Sequence, residues 1–324
     1  MTNNLKGALL ALAAFGVFAT SDVIVKLLGG AYSPVQILFF STLLGFPLTA
    51  LLLIRDSTAG TLIPVYPGWM LLRTGAVSVT ALCIFYAFSV LPLAQVYAVI
   101  FAMPLFITVL SIPVLGEQVG PRRWAAVLVG LCGILVVLRP GQTDFQLGHL
   151  AAIVGAFFGS FASVIVRRVR AEERSSVIML YPTLANVLIM GALLPLSYQP
   201  MAGRDLMLSA VMAALAWGAN LMLIAAYRKG EAVVVAPMQY CQILWATVYG
   251  FFFFDEWPDT FTFAGAGIVM VSGIYILGRE SQRSDLSNRP VLRTRSRPET
   301  GTTLRVSQFL KPHSKGRKAE DPRG

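Results

Sequence analysis

Long apolar runs, each about the length of a membrane span, alternate with short polar punctuation along nearly the whole chain. A helix needs roughly 20 largely apolar residues to cross a bilayer core. Ten runs approach that length: 5–28, 35–54, 67–90, 93–115, 122–138, 148–167, 177–198, 206–227, 232–254 and 260–278. Charged, Pro-containing and Gly-containing segments separate them, among them RDSTAG at 55–60, GEQVGPRR at 116–123, RPGQTD at 139–144 and RRVRAEERSS at 167–176. The connections are short, so consecutive helices are expected to be antiparallel neighbours with no soluble domain between them. The shortest, Leu91-Pro92-Leu93, is a tight turn. The pattern predicts an all-α integral membrane protein with ten transmembrane helices.

The runs also repeat. Phe85 to Glu117 lines up without gaps against Ile224 to Glu256, an offset of 139 residues, and both copies end on an acid, in LGEQ and FDEW. One further residue in the next loop brings Gly133 onto Gly273 and Arg139 onto Arg279. Upstream, Gly7 falls on Gly148, which puts Lys26 on Arg167. Each copy holds five spans, an odd number, so the second enters the membrane from the side opposite to the first. Two inverted five-helix repeats are an arrangement from which secondary transporters build mirror-related access states.

Charge sets the orientation. With a cytoplasmic N-terminus, the inner side holds Lys6, Arg55, Arg73, Arg122, Arg123, Arg167, Arg168, Arg170, Arg174, Arg228 and Lys229, plus twelve basic residues after residue 278; the outer side holds only Lys26, Arg139 and Arg204. The positive-inside rule therefore places both termini in the cytoplasm, and the chain is expected in a cytoplasmic (inner) membrane. Composition agrees. The chain is 56% hydrophobic and 13% charged, where a soluble domain carries about 25% charged residues. The net charge of +10 mostly reports the segment 279–324, rich in Arg, Ser, Pro and Thr, which is expected to be a disordered cytoplasmic tail able to meet an anionic leaflet. Nucleic acid is not an expected partner. The first run is too long for the apolar core of a cleavable signal peptide.

The segments SPVQILFFSTLLG at 33–45, LPLAQVYAVIFAMPLF at 91–106 and GEQVGPRRWAAVLVGLCGILVVLRPG at 116–141, with their second-half counterparts, resemble the EamA-type family of the drug/metabolite transporter superfamily. The resemblance covers about residues 5 to 278, as one repeat over 1–139 and another over 148–278. It implies ten helices, inverted halves, cytoplasmic termini, and a substrate held chiefly by helices 1, 3, 4, 6, 8 and 9. Members include amino-acid exporters and carriers of cofactor-like metabolites such as S-adenosylmethionine or riboflavin. The second repeat departs from the family pattern where FDEW replaces an LGE-like end, and the basic tail is an addition.

Charges inside a span need a partner, a wet cavity or a function. Asp22 and Lys26 lie one turn apart on the first helix, where i and i+4 side chains meet. They read either as an ion pair or as a cavity carboxylate, able to exchange a proton or hold a cation, beside a lysine that snorkels outward. Arg73 reads either as snorkelling to the inner headgroups or as a clamp for a substrate carboxylate or for Asp22. Glu117 and Glu256 each precede a helix and are expected to favour its N-terminal dipole, with a gate or a proton-coupling role as the alternative. Pro104 and Pro237 sit at non-equivalent positions in the fourth and ninth helices, where each can kink its helix. Tyr86, Gln95, Tyr97, Asn220, Gln239, Tyr240 and Trp245 carry polar tips within spans and are substrate-binding or coupling candidates, or interhelical contacts.

Catalysis has little to build on. The histidines are His149 and His313; no HExxH, paired-Cys or phosphate-loop motif occurs, and Cys83, Cys132 and Cys241 lie singly in apolar runs. No catalytic residue, metal or cofactor is expected. A membrane-embedded enzyme and a non-transporting scaffold are the alternatives to a secondary transporter of a small polar metabolite, amino-acid-like or cofactor-like. The expected partners are that small molecule, the lipid bilayer and, through Asp22, protons; the chain is expected as a monomer or homodimer.

Overall fold

The computed structural model describes residues 3–55, 61–139, 146–169, 172–230 and 232–287. Twelve α-helices follow one another: α1 (Asn3–Gly29), α2 (Pro34–Arg55), α3 (Pro67–Val90), α4 (Leu93–Ile100), α5 (Met103–Leu115), α6 (Pro121–Leu138), α7 (Leu147–Val169), α8 (Ser175–Leu193), α9 (Gly203–Lys229), α10 (Ala232–Val235), α11 (Gln242–Phe254) and α12 (Thr260–Ser287). Several begin on proline, whose missing N–H costs nothing in the first turn. Two 3-10 segments complete the list, Leu194–Leu196 after α8 and Ala236–Cys241 between α10 and α11. No strand occurs among the described residues.

Eight of these elements are long and apolar enough to cross a membrane, with α4 and α5 counted as the one stretch Leu93–Leu115; Thr260–Ile276 is a shorter apolar helix. Their outer surfaces confirm the solvent they are built for. Leu71, Phe252 and Val271 are each more than 70% exposed. A water-soluble surface does not carry so many large apolar side chains, and a bilayer accepts them at no cost. The protein is a multi-pass membrane protein.

The helix limits fall within a few residues of the apolar runs, with two corrections. The fourth and ninth runs are not continuous helices. The fourth breaks at Phe101-Ala102, between α4 and α5, and the ninth passes through the 3-10 segment before α11. The last helix continues to Ser287, so the tail expected from residue 279 begins as helix. Residues 288–324, where disorder was expected, lie outside the described residues. Residues 1–282 form one compact unit, and Arg283–Gly324 a second to which the described residues contribute only the end of α12.

Within the first unit α1 runs along α9, α3 along α7, α2 against α8 and α9, and α4 against α11. Small residues set the closest approaches, as in membrane bundles generally. A Cβ on Gly7 would fall 2.7 Å from the Gly230 Cα, and one on Gly133 would fall 2.9 Å from the Gly265 carbonyl oxygen. Successive spans run in opposite directions, so the connections divide between two faces. On the face opposite the N-terminus, the Tyr32 hydroxyl donates to Asp205 at 2.7 Å, Ser33 meets Ser197 at 3.0 Å, and Gln36 binds the Gln199 backbone through both ends of its amide. On the N-terminal face the Tyr66 N–H donates to Glu173 at 2.7 Å and its hydroxyl to Glu172 at 2.5 Å.

Candidate functional site

The two broken helices meet at their breaks. Phe101 ends α4, and its ring packs edge-on against that of Tyr240 at 4.9 Å between centroids. Tyr240 is the last residue but one of the 3-10 segment, and the two residues are 139 positions apart. A chain that leaves the α-helix inside a membrane exposes backbone groups, which is tolerated where protein or a wet cavity surrounds them. The breaks have different local causes. In the first, Pro104 sits in the opening turn of α5, and the Ala102 N–H reaches back to Val99 instead of a residue four earlier. In the second, Pro237 opens the 3-10 segment. The Tyr240 hydroxyl fits because position 273 is glycine: a Cβ there would fall 2.0 Å from it.

Beside this junction α1 supplies the acid. Asp22 is half-buried and accepts a hydrogen bond from the hydroxyl of Tyr97 on α4. Tyr97 is 2% exposed and packs edge-on against Phe88 of α3 at 5.4 Å. The partner of the carboxylate is thus a neutral phenol. Two residues toward the N-terminus, Thr20 bonds the Tyr249 hydroxyl at 2.9 Å, and Trp245 stacks on Tyr249 at 5.9 Å. Gly16 leaves room for that indole, since a Cβ there would lie 3.1 Å from it. The result is an acid of α1 beside a wall of aromatic rings drawn from α3, α4, the 3-10 segment and α11. Such a wall favours a flat or cationic ligand.

Of the candidates from the sequence, Asp22, Tyr97 and Tyr240 are joined here directly or through Phe101, while Trp245 lies against Tyr249 and Gly16 of α1. Lys26 does not pair with Asp22. It reaches Glu256 at 2.6 Å and the Leu91 carbonyl at 2.5 Å, so of the two readings of this turn the i, i+4 ion pair is absent. Glu256 also accepts from the Leu93 N–H at 3.4 Å, at the start of α4; it serves a distant helix rather than the α12 that follows it. Glu117 pairs with Arg167 at 2.8 Å. Arg73 donates to the Ile178 carbonyl of α8 at 2.6 Å, away from Asp22. Gln95 faces the other way, toward His149 at 3.3 Å, beside a small cavity bordered by Leu91 and Arg139. Tyr86 and Gln239 are half-buried and Asn220 is exposed on α9. Sequence reasoning missed Phe101, Thr20 and Tyr249. Phe101 was within reach, because it is the residue that the 139-residue offset lays on Tyr240.

An all-helical membrane body with two helices interrupted at a shared centre is the construction of a solute carrier. The model of the EamA-like transporter family matches twice, at residues 5–139 and 146–278, and the chain belongs to that family. Over 274 residues it is 26% identical to the pseudopaline exporter CntI of Pseudomonas aeruginosa (strain UCBPP-PA14), covering 83% of this chain and 94% of the exporter. It is 29% identical to a riboflavin transporter of Vibrio cholerae over 67% of this chain and 74% of that one. To an S-adenosylmethionine uptake transporter of Rickettsia prowazekii it is 25% identical, over 61% and 67%. A crystal structure with 20% identity superposes with a TM-score of 0.59, over 86% of this chain and 99% of that one. The family and these relatives are transporters, not enzymes, and a small-molecule substrate follows from them.

Proposed function

We propose that the protein is a secondary transporter with ten spans in two inverted halves, carrying a small polar metabolite across the cytoplasmic membrane by alternating access. The observation that carries this reading is the junction of Phe101 and Tyr240. Residues at equivalent positions of two repeats touch one another only near the axis that relates the repeats. The equivalence extends to the ends of the broken helices. Gly116 and Asp255, 139 residues apart, both close their helices in the left-handed conformation, with φ of 69° and 54°. The N–H of the glutamate after each turns back six residues, from Glu117 to Ser111 and from Glu256 to Gly250. The ninth and tenth spans are then the interrupted stretch 232–254 and α12. The excess of Lys and Arg on the N-terminal face supports cytoplasmic termini.

Asp22 is the coupling residue in this reading. A neutral hydroxyl partner satisfies the acid without a fixed counter-charge, which leaves it free to exchange a proton or to meet a cationic group on the substrate. The relatives carry pseudopaline, riboflavin and S-adenosylmethionine. An amino-acid-like or cofactor-like solute with a planar or cationic part suits the aromatic wall. Proteoliposomes loaded from a panel of amino acids, nucleosides, vitamins and S-adenosylmethionine, under an imposed pH gradient, provide the test. Accumulation of one class above the level in protein-free vesicles is expected; a panel that moves no faster than by leak would sink the reading. Reporter fusions sharpen the topology. Fusions after Arg174 and Gly324 should read cytoplasmic, and one at Gln142 external.

A further inference from the structure

We propose that Lys26–Glu256 and Arg167–Glu117 are the two gates of this carrier, opened in alternation; the inference rests on the transport reading above. The two ion pairs are built from the same parts. Lys26 and Arg167 are 141 residues apart and near the ends of α1 and α7; Glu117 and Glu256 are 139 apart and follow α5 and α11. Each pair therefore ties the first helix of one half to the end of the fourth span of the other half, and the two ties sit on opposite faces. Both are formed here, at 2.6 Å and 2.8 Å.

Each bridge also has a backbone anchor beside it. Lys26 donates to the Leu91 carbonyl, and Arg168, next to Arg167, donates to the Val114 carbonyl. The acids are held by matching turns, the left-handed Gly116 and Asp255. The N–H of each acid returns to the equivalent residue of its own helix, Ser111 in one half and Gly250 in the other. The bridging side chains are between 10% and 32% exposed. Partly wet pairs are weak enough to break in a rocking motion. They still bias an equilibrium in which one of them exists in each open state and both exist in the closed one. The pair recurs on the other face with its partners exchanged between the halves, as two alternating gates require.

Opposite signs test this. Spin labels are attached at Gly30→Cys and Trp257→Cys across one face, and at Gly120→Cys and Glu172→Cys across the other, all exposed positions. The full chain, lacking its native cysteines, is placed in lipid nanodiscs, and distances are read by pulsed electron spin resonance. Glu256→Gln should add a longer component to the 30–257 distance and leave 120–172 short. Glu117→Gln should do the reverse. Lys26→Glu combined with Glu256→Lys should return the parent distribution. If a Gln variant fails to insert, Lys26→Met and Arg167→Met break the same pairs. Equal broadening of both distances in either variant, or no change in a folded protein, would overturn the gates. Flux through the wild-type protein is measured separately, so intact transport without opposed shifts removes the gates and leaves the transport reading standing.

Discussion

The two halves of the chain share a scaffold and differ in chemistry. Their broken helices resume at equivalent residues, Met103 and Gln242, just past Phe101 and Tyr240, and their ends turn through Gly116 and Asp255 in the same left-handed form. The half-buried acid has no such twin. The position equivalent to Asp22 is Ser163, whose hydroxyl is spent on the Gly159 carbonyl of its own helix at 2.8 Å. The position equivalent to Tyr97 is Ala236. Motion between two mirror-related states asks for equivalent moving parts, whereas one solute passing through one centre asks for a single binding arrangement. Duplicated features therefore point to mechanics and unduplicated ones to ligand or proton.

The sharpest way to break that division is at Asp22. Asp22→Asn keeps the shape and the neighbour Tyr97 while removing the charge. It should abolish accumulation driven by a pH gradient and preserve exchange of substrate across the vesicle wall. Ser163→Ala should change neither. Tyr97→Phe should lower stability by about 1–3 kcal/mol, the cost of leaving a buried polar group without its bond. Gradient-driven accumulation by a stable Asp22→Asn protein would end the coupling role. An equal loss in Ser163→Ala would erase the distinction between the halves.

A smaller effect separates two glycines on one helix pair. Gly133 of α6 approaches Gly265 of α12 so closely that a Cβ would meet a backbone oxygen, while Gly267 has nothing within 4 Å of its own added Cβ. Gly133→Leu forces the helices apart and should cost about 1–3 kcal/mol. Gly267→Ala relieves backbone entropy and should add up to about 1 kcal/mol. Thermal unfolding in detergent, followed by intrinsic tryptophan fluorescence, reads both. A neutral Gly133→Leu would show that this contact is not what holds the two helices together.

Hydropathy alone made the span limits legible, because a bilayer demands length and apolarity of every crossing helix. The two-repeat organisation was legible too, since LGEQ and FDEW keep their spacing through loops of nearly equal length. The helix breaks were legible only in part, as places where a proline can kink its helix. Pro104 and Pro237 are non-equivalent, and reading them one at a time concealed that both serve one junction. The partner of Lys26 was hidden for another reason. The i, i+4 neighbour Asp22 is near in sequence, whereas Glu256 is brought by packing between the halves, which no local pattern reports. The aromatic wall was half visible: Tyr97, Tyr240 and Trp245 have polar tips that flag them within a span, but Phe101 has none.

The smallest expected effect lies at the starts of α6 and α12, where the halves again diverge. Asp259 precedes α12, and its carboxylate accepts from the Thr262 N–H at 3.0 Å, a side-chain cap for the helix. It also pairs with Arg139 at the end of α6. The start of α6 follows Gly120, which offers no side chain to cap it. Burial alone would raise the Asp259 carboxyl, but the bonds from Thr262 and the charge of Arg139 outweigh it and hold the group below its usual range. A carboxyl lowered in this way contributes stability above its unfolded value, and that contribution is lost as pH falls through the folded one. Asp259→Ala should therefore cost about 1 kcal/mol at neutral pH, and its deficit against the parent should shrink in acid. Gly120→Asp has an extended backbone, open space around the new side chain and Arg122 and Arg123 just beyond. It should add a few tenths of a kcal/mol, about what separates an aspartate cap from a glycine one. A deficit in Asp259→Ala that persists unchanged in acid would mean that the carboxylate contributes by its shape alone. The capped start of α12 would then differ from the uncapped start of α6 in packing rather than in charge.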